Sequence, residues 1–150
     1  MRTVGRICER DVIFATRETT IQAAAKLMRH YHVGSLVIVE NANGRCLPVG
    51  IVTDRDIVVD VNALDLDQAV ITVGDIAAAE VATVREDADL LETIEIMRLK
   101  GVRRLPVVNA AGELVGIVSI DDLLKALTGQ LTEMTHVLTR ERENEVQARR

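Results

Sequence analysis

Residues 50–58 read GIVTDRDIV and residues 116–124 read GIVSIDDLL. Each stretch carries an apolar, β-branched run, then a hydroxyl residue, then an aspartate three positions on. The run suits a strand. The hydroxyl and the carboxylate suit a capping box, in which each side chain satisfies a backbone N–H at the start of a helix. One chain therefore makes the same strand-to-helix turn twice.

The repetition extends outward from these turns. At an offset of 69 positions, TVGRI (3–7) falls on TVGDI (72–76), Val12 on Val81, Met28-Arg29 on Met97-Arg98 and Val33 on Val102. SLVIV (35–39) falls on RLPVV (104–108). The offset then drops to 66, because NANGRCLPVG is three residues longer than its counterpart. Self-similarity over nearly the whole chain marks a duplicated structural unit.

Each copy follows one order. A short strand (12–15; 81–84) precedes an amphipathic helix, with Ile21, Ala24, Ala25 and Met28 at helical spacing in the first copy. Leu90, Ile94 and Met97 take that spacing in the second, with Leu91 flanking. Thr19 with Gln22 forms a capping box for the first helix, and Asp87 or Asp89 caps the second. Gly101 falls where a left-handed C-cap is wanted. Two strands joined through NANG or NAAG follow, and then the second helix. The predicted fold class is α/β (α+β), as two tandem β-α-β-β-α repeats packed with pseudo-two-fold symmetry. A unit of about 60 residues buries little surface and is marginal alone, whereas two units can bury their sheet faces against each other, an arrangement that creates matched clefts between them.

Composition narrows the function. The chain has 150 residues, 48% hydrophobic and 27% charged, with Phe14 and Tyr31 as its only aromatics and no Trp. Aromatic stacking platforms for single-stranded nucleic acid are missing. A net charge of −5 gives no basic surface for DNA, RNA or acidic membrane. No apolar run approaches the roughly 20 residues that cross a bilayer. The first residues, MRTVGRICERD, lack the apolar stretch of a secretory signal. Cys8 and Cys46 make no disulfide framework, so a cytoplasmic location is expected.

The duplicated words HVGSLVIVE, GIVTDRDIV, GVRRLPVVN and GIVSIDDLL, over roughly residues 3–127, resemble a stand-alone pair of CBS domains, or Bateman module. The resemblance implies repeats at 1–62 and 72–128, a linker at 63–71, and a helical or frayed C-terminal tail at 129–150. It also implies a regulator or sensor rather than an enzyme. Such a module binds an adenine nucleotide (AMP, ADP or ATP), NAD or S-adenosylmethionine between the repeats, has no obligatory cofactor, and forms dimers.

A ribose offers two hydroxyls that one carboxylate can accept, and phosphates need donors such as the N–H groups at a helix start. The resemblance accordingly places Asp56 and Asp122 toward ribose, and Thr53 and Ser119 toward phosphate. The two turns differ. Arg55 stands where the second copy has Asp121, and Arg103-Arg104 stand where the first has Gly34-Ser35. These arginines read either as solvated strand-edge charge or as phosphate clamps in a shared cleft, and the second reading makes the two sites unequal. Adenine would find main-chain partners near Ile13 and Ala82-Thr83.

Other chemistry finds little support. His30 and His32 do not share a helix face and lack further ligands at metal-binding spacing. Neither cysteine has an indicated histidine partner. Leu124, Leu127, Leu131, Met134 and Leu138 follow coiled-coil spacing, interrupted by Gly129, and pack either on their own domain or on another chain. Without an attached catalytic domain, the regulated partner would be a separate protein. The competing readings are a structural dimerisation module whose turns are only caps, and a small nucleotide hydrolase.

Overall fold

The computed structural model describes residues 2–150. Met1, at the start of the first expected repeat, lies outside the described residues. Two three-stranded sheets form, ordered β1-β2-β3 and β4-β5-β6. The first comprises β1 (Phe14–Ala15), β2 (Ser35–Ala42) and β3 (Arg45–Thr53), and the second β4 (Val84–Arg85), β5 (Arg104–Val108) and β6 (Leu114–Ser119). In each, the opening strand pairs parallel to the next, and the last two pair antiparallel. Even the bulges match, between Ile38 and Val39 and between Val107 and Val108. The opening strands are shorter than the sequence suggests, two residues each, because only those residues find ladder partners.

Helices α1 (Ile21–Tyr31) and α4 (Leu90–Lys100) are the crossovers of the two parallel pairs. Ile21, Ala24 and Met28 are buried on α1. On α4 the buried residues are Leu90, Thr93 and Met97, while Leu91 is exposed. Thr93 enters the core because its hydroxyl donates to the Asp89 carbonyl at 2.7 Å. Asp89 caps α4 by accepting from the Glu92 N–H at 2.8 Å. The cap of α1 is Thr20, not Thr19: its Oγ1 accepts from the Ala23 N–H at 3.2 Å. Thr19 instead accepts from the Thr16 N–H at 3.1 Å, holding the turn before the helix. Gly101 takes the left-handed C-cap at φ 65°, and His32 takes the equivalent place at φ 55°. In the first hairpin, Asn43 and Gly44 both have positive φ, as a two-residue type I′ turn requires.

The copies are interlocked at their leading segments. Val4 is buried in the core of the second repeat beside Leu90, Leu105 and Leu123. Val73, opening α3 (Val73–Ile76), is buried in the core of the first, beside Ile21, Leu36 and Val61. Thr72 and Asp75 form a third capping box there. Arg6 occupies the position of Asp75 in the first copy, so the box cannot close, and Val4–Arg6 forms only a 3₁₀ turn.

The first copy closes with α2 (Asp54–Ile57), which runs on as a π turn over Val58–Asn62. The expected linker, 63–71, is tied to the first repeat: the Ile71 and Gln68 carbonyls accept from the Ile21 and Gln22 N–H groups at the start of α1. The second copy closes with α5, which runs unbroken from Ile120 to Ala148, about 44 Å at 1.5 Å per residue. Gly129 does not interrupt it, and every residue from Thr128 onward is exposed.

Two glycines carry opposite expectations. A Cβ on Gly74 would stand 2.7 Å from the Arg17 carbonyl oxygen, whereas one on Gly129 would meet nothing within 4 Å. Gly74→Ala is expected to destabilise the fold by about 1–3 kcal/mol, as overpacking does. Gly129→Ala is expected to stabilise it by up to about 1 kcal/mol through helix propensity. Denaturant unfolding of the two variants beside the natural chain checks both signs.

Candidate functional site

Both strand-to-helix turns form reciprocal capping boxes. The Thr53 N–H donates to Asp56 Oδ2 at 2.8 Å, and the Asp56 N–H donates to Thr53 Oγ1 at 3.1 Å. The Ser119 N–H donates to Asp122 Oδ2 at 2.8 Å, and the Asp122 N–H to Ser119 Oγ at 3.2 Å. One difference follows from the hydroxyl hydrogens. Ser119 Oγ also donates to Asp122 Oδ2, at 2.9 Å, so its proton is used within the box. Thr53 Oγ1 serves only as acceptor among the described residues and keeps its proton for another partner.

Each turn faces the other repeat. A cleft of about 380 Å³ gathers Thr53, Asp54, Arg55 and Asp56 from the first repeat with Arg103 and Arg104 from the second, over an apolar wall that includes Ile51 and Val102. The pseudo-symmetric cleft, about 260 Å³, brings Ser119 and Asp122 together with Gly34 and Ser35 from the first repeat, and adds Glu9 and Arg104. The structure thus unites Thr53, Arg55, Asp56, Arg103 and Arg104 in one place and Ser119 with Asp122 in the other. Ile13, Ala82 and Thr83 line neither cleft. They are half-buried just before the opening strands, and the Ile13 carbonyl accepts from the Val37 N–H at 3.3 Å.

Electrostatics separate the two clefts. The larger sets three arginines against Asp54 and Asp56; the smaller sets Arg104 alone against Glu9 and Asp122. None of the three arginines has a carboxylate within salt-bridge distance among the described residues. The unpaired N–H groups expected at the first turn are not there. The Asp54 N–H donates to the Gly34 carbonyl at 3.0 Å, the Arg55 N–H to Asp54 Oδ1 at 2.8 Å, and the Asp56 N–H to Thr53. An anion in this cleft would therefore be served by guanidinium groups and the Thr53 hydroxyl, not by the helix start.

Two charged lining residues escaped the sequence reading. Asp54 hid inside the TDRD run, where the cap motif drew attention to its neighbours. Glu9 offered no local signal: it reaches the smaller cleft because its backbone exchanges two 2.9 Å hydrogen bonds with Ile117 of the other repeat. Close by, burial pushes the Cys8 thiol pKa up, Arg10 opposes the shift, and Asp122 and Glu86 add to it. That keeps the sulfur protonated and a poor nucleophile. Among the described residues no group of three or more His, Cys, Asp or Glu side chains converges as a metal site, and no helix is long and apolar enough to cross a membrane.

The CBS domain family matches residues 4–62 and 73–129, and the chain belongs to that family as a pair of CBS domains. CBS pairs are regulatory modules rather than catalysts. An uncharacterised protein of Methanopyrus kandleri is 40% identical over 124 residues, covering 82% of this chain and 61% of that protein, so the chain spans about three-fifths of that relative. Hypoxic response protein 1 of Mycobacterium tuberculosis is 33% identical, covering 85% of this chain and 86% of that one. A crystal structure of that response protein, with two coordinated zinc ions, superposes with a TM-score of 0.71, covering 82% of this chain and 97% of that one. CBSX2 in complex with AMP gives a TM-score of 0.71 at 26% identity, covering 86% of this chain and 98% of that one.

Whatever else they bind, the turns are caps. Thr53→Ala is expected to cost about 1 kcal/mol without any ligand, and Thr53→Ser to cost much less. Chemical denaturation of the two variants separates them, and equal losses would show that the hydroxyl does not hold the helix.

Proposed function

We propose that this CBS pair is a sensor of phosphorylated adenosyl ligands, bound first in the Thr53–Asp56 cleft, and that occupancy is signalled to a separate partner protein. The observation that carries this reading is the convergence of Asp56, the Thr53 hydroxyl and three unpaired arginines, drawn from both repeats, on one cleft. At about 380 Å³ it falls within the ~300–1,000 Å³ typical of small-molecule sites. Asp56 uses Oδ2 for the cap and leaves Oδ1 for a ribose hydroxyl. Arg55, Arg103 and Arg104 supply the phosphate charge, by bidentate geometry where the oxygens allow. The excess of guanidinium favours AMP, ADP, ATP or NAD over the cationic S-adenosylmethionine. The AMP complex of CBSX2 supports the ligand class.

Signalling follows from the composition of the cleft. Within the docking fixed by the interlocked segments, ligand that touches both repeats favours the small cleft closures that bring the two sets of contacts closest, and so shifts the population of those states. Ile13, Ala82 and Thr83 are retained only as main-chain neighbours of a base, and cytoplasmic action fits the reduced cysteines.

The reading is tested by thermal unfolding with AMP, ADP, ATP, NAD and S-adenosylmethionine. A ligand at 100 times its dissociation constant should add about 2.7 kcal/mol. Arg103→Ala, which removes an exposed side chain without a hydrogen bond or ion pair among the described residues, should keep the ligand-free melting temperature and lose most of the shift. A shift unaffected by Arg103→Ala would remove the cleft from the explanation; no shift with any anionic ligand would leave a structural module.

We further propose that the chain forms homodimers through α5. Of the coiled-coil seam only Leu127 packs on its own domain; Leu131, Met134 and Leu138 are 64%, 65% and 67% exposed. Pairing of two such helices would bury that apolar stripe. Light scattering should give twice the chain mass, and Leu131→Glu with Leu138→Glu should halve it while the CBS pair stays folded. An unchanged mass would place any dimer contact elsewhere.

A further inference from the structure

Arg104 lines both clefts. It opens β5, where its backbone pairs with Ser119, the hydroxyl residue of the smaller cleft, while it also lines the larger one beside Thr53 and Asp56. Its counterpart in the first repeat is Ser35, which carries no charge. The molecule therefore has two openings and a single residue common to both, the cationic Arg104. The larger cleft keeps Arg55 and Arg103 if Arg104 turns away. The smaller one keeps Glu9 and Asp122, both acidic, as its only charged residues.

We propose that Arg104 is a shared phosphate ligand that makes the two clefts antagonistic. A phosphorylated ligand in the Thr53–Asp56 cleft draws the guanidinium to its own phosphate. The Ser119–Asp122 cleft is then left with carboxylates as its only charged groups and repels a second phosphate. One guanidinium serves one phosphate at close range, and like charges brought together in a partly desolvated cleft oppose each other. The cost of filling both clefts is a coupling free energy, so it acts equally in either order of binding. The antagonism rests on the nucleotide reading above. It adds that the pair reports one phosphorylated ligand at a time, whereas two independent clefts would report two.

The test separates coupling from simple inequality. AMP is titrated calorimetrically, at about 50 mM salt so that screening does not hide the effect, into the natural chain, Ile51→Trp and Arg104→Ser. Ile51 lines only the larger of the two clefts, and Trp there fills it. Val102→Trp fills the same cleft from the other repeat and replaces Ile51→Trp if circular dichroism shows that variant unfolded. In the natural chain one AMP binds well, and a second binds weakly or not measurably. With the larger cleft filled, AMP should bind the smaller one about fivefold or more tighter than that second step. In Arg104→Ser the larger cleft should still bind, through Arg55 and Arg103, and the smaller should not.

Affinity of the smaller cleft that is the same with the larger cleft filled or occupied would overturn the coupling and leave the nucleotide reading intact. So would a smaller cleft that never binds AMP, or one that binds it equally well in Arg104→Ser. If AMP binds none of the proteins, including the natural chain, the nucleotide reading falls and the antagonism falls with it.

Discussion

The Val73 N–H donates to the Thr19 carbonyl at 2.8 Å and the Gly74 N–H to the Arg17 carbonyl at 3.0 Å. The Val4 and Gly5 N–H groups make the equivalent bonds to Ala88 and Glu86, both at 2.9 Å. Through these four bonds the leading segment of each repeat is anchored to the other. A Cβ on Gly5 would approach the Glu86 oxygen to 2.8 Å, as one on Gly74 would approach Arg17, so both contacts require a bare backbone. Val4, with Ile7 and Cys8, and Val73, with Ile71, Ile76 and Ala77, then fill places in the core of the other repeat. Neither repeat has a complete core without the other, and their relative orientation is fixed where the bonds are made.

The clefts are consequences of that orientation. With the repeats locked this way, the capped turn of one faces the residues preceding and opening the long strand of the other. The Asp54 N–H reaches the Gly34 carbonyl at 3.0 Å, and the Ile120 N–H reaches the Arg103 carbonyl at 2.9 Å. These bonds lie within each repeat and fix each turn against its own hairpin. Thr53 and Asp56 then meet Arg103 and Arg104 across the interface, and Ser119 and Asp122 meet Gly34 and Ser35. The caps hold the helices and set the carboxylate orientation, so the structural and ligand roles of Asp56 draw on different oxygens of one group.

Much of this was legible in the residues, because side chains encode it. The hydroxyl-x-x-aspartate spacing gave both capping boxes, the Asn-Gly pair gave the first hairpin, and the doubled words gave the paired repeats. The exchange of leading segments was not legible. TVGRI and TVGDI look like ordinary copies of one another, and nothing in their side chains says which core receives the valine. The choice of Thr20 over Thr19 turned on a one-residue shift within a Thr-Thr pair, which backbone geometry decides. The free N–H groups expected for phosphate were absent for a related reason: Gly34 and Asp54 consume two of them through contacts that local patterning does not reveal. The arginines, by contrast, were visible as departures from the repeat, and the fold brought them to the cleft.

Those departures are themselves constrained by packing. At the first turn, a Cβ on Gly34 would come within 3.2 Å of Asp54 Oδ2, so the residue before β2 stays small where Asp54 is present. At the second turn Ile120 replaces Asp54, and its partner position is free to carry Arg103. One exchange, glycine with aspartate against arginine with isoleucine, thus gives the two clefts different charge. Because each cleft takes its strand residues from the other repeat, Arg103 lies opposite Asp54 and Arg55, while Gly34 lies opposite Ser119 and Asp122. The positive charge gathers on the side where the aspartates also sit, and the smaller cleft is left dependent on Arg104. Divergence at two coupled positions is sufficient to turn a symmetric pair of sites into an unequal one without disturbing either cap.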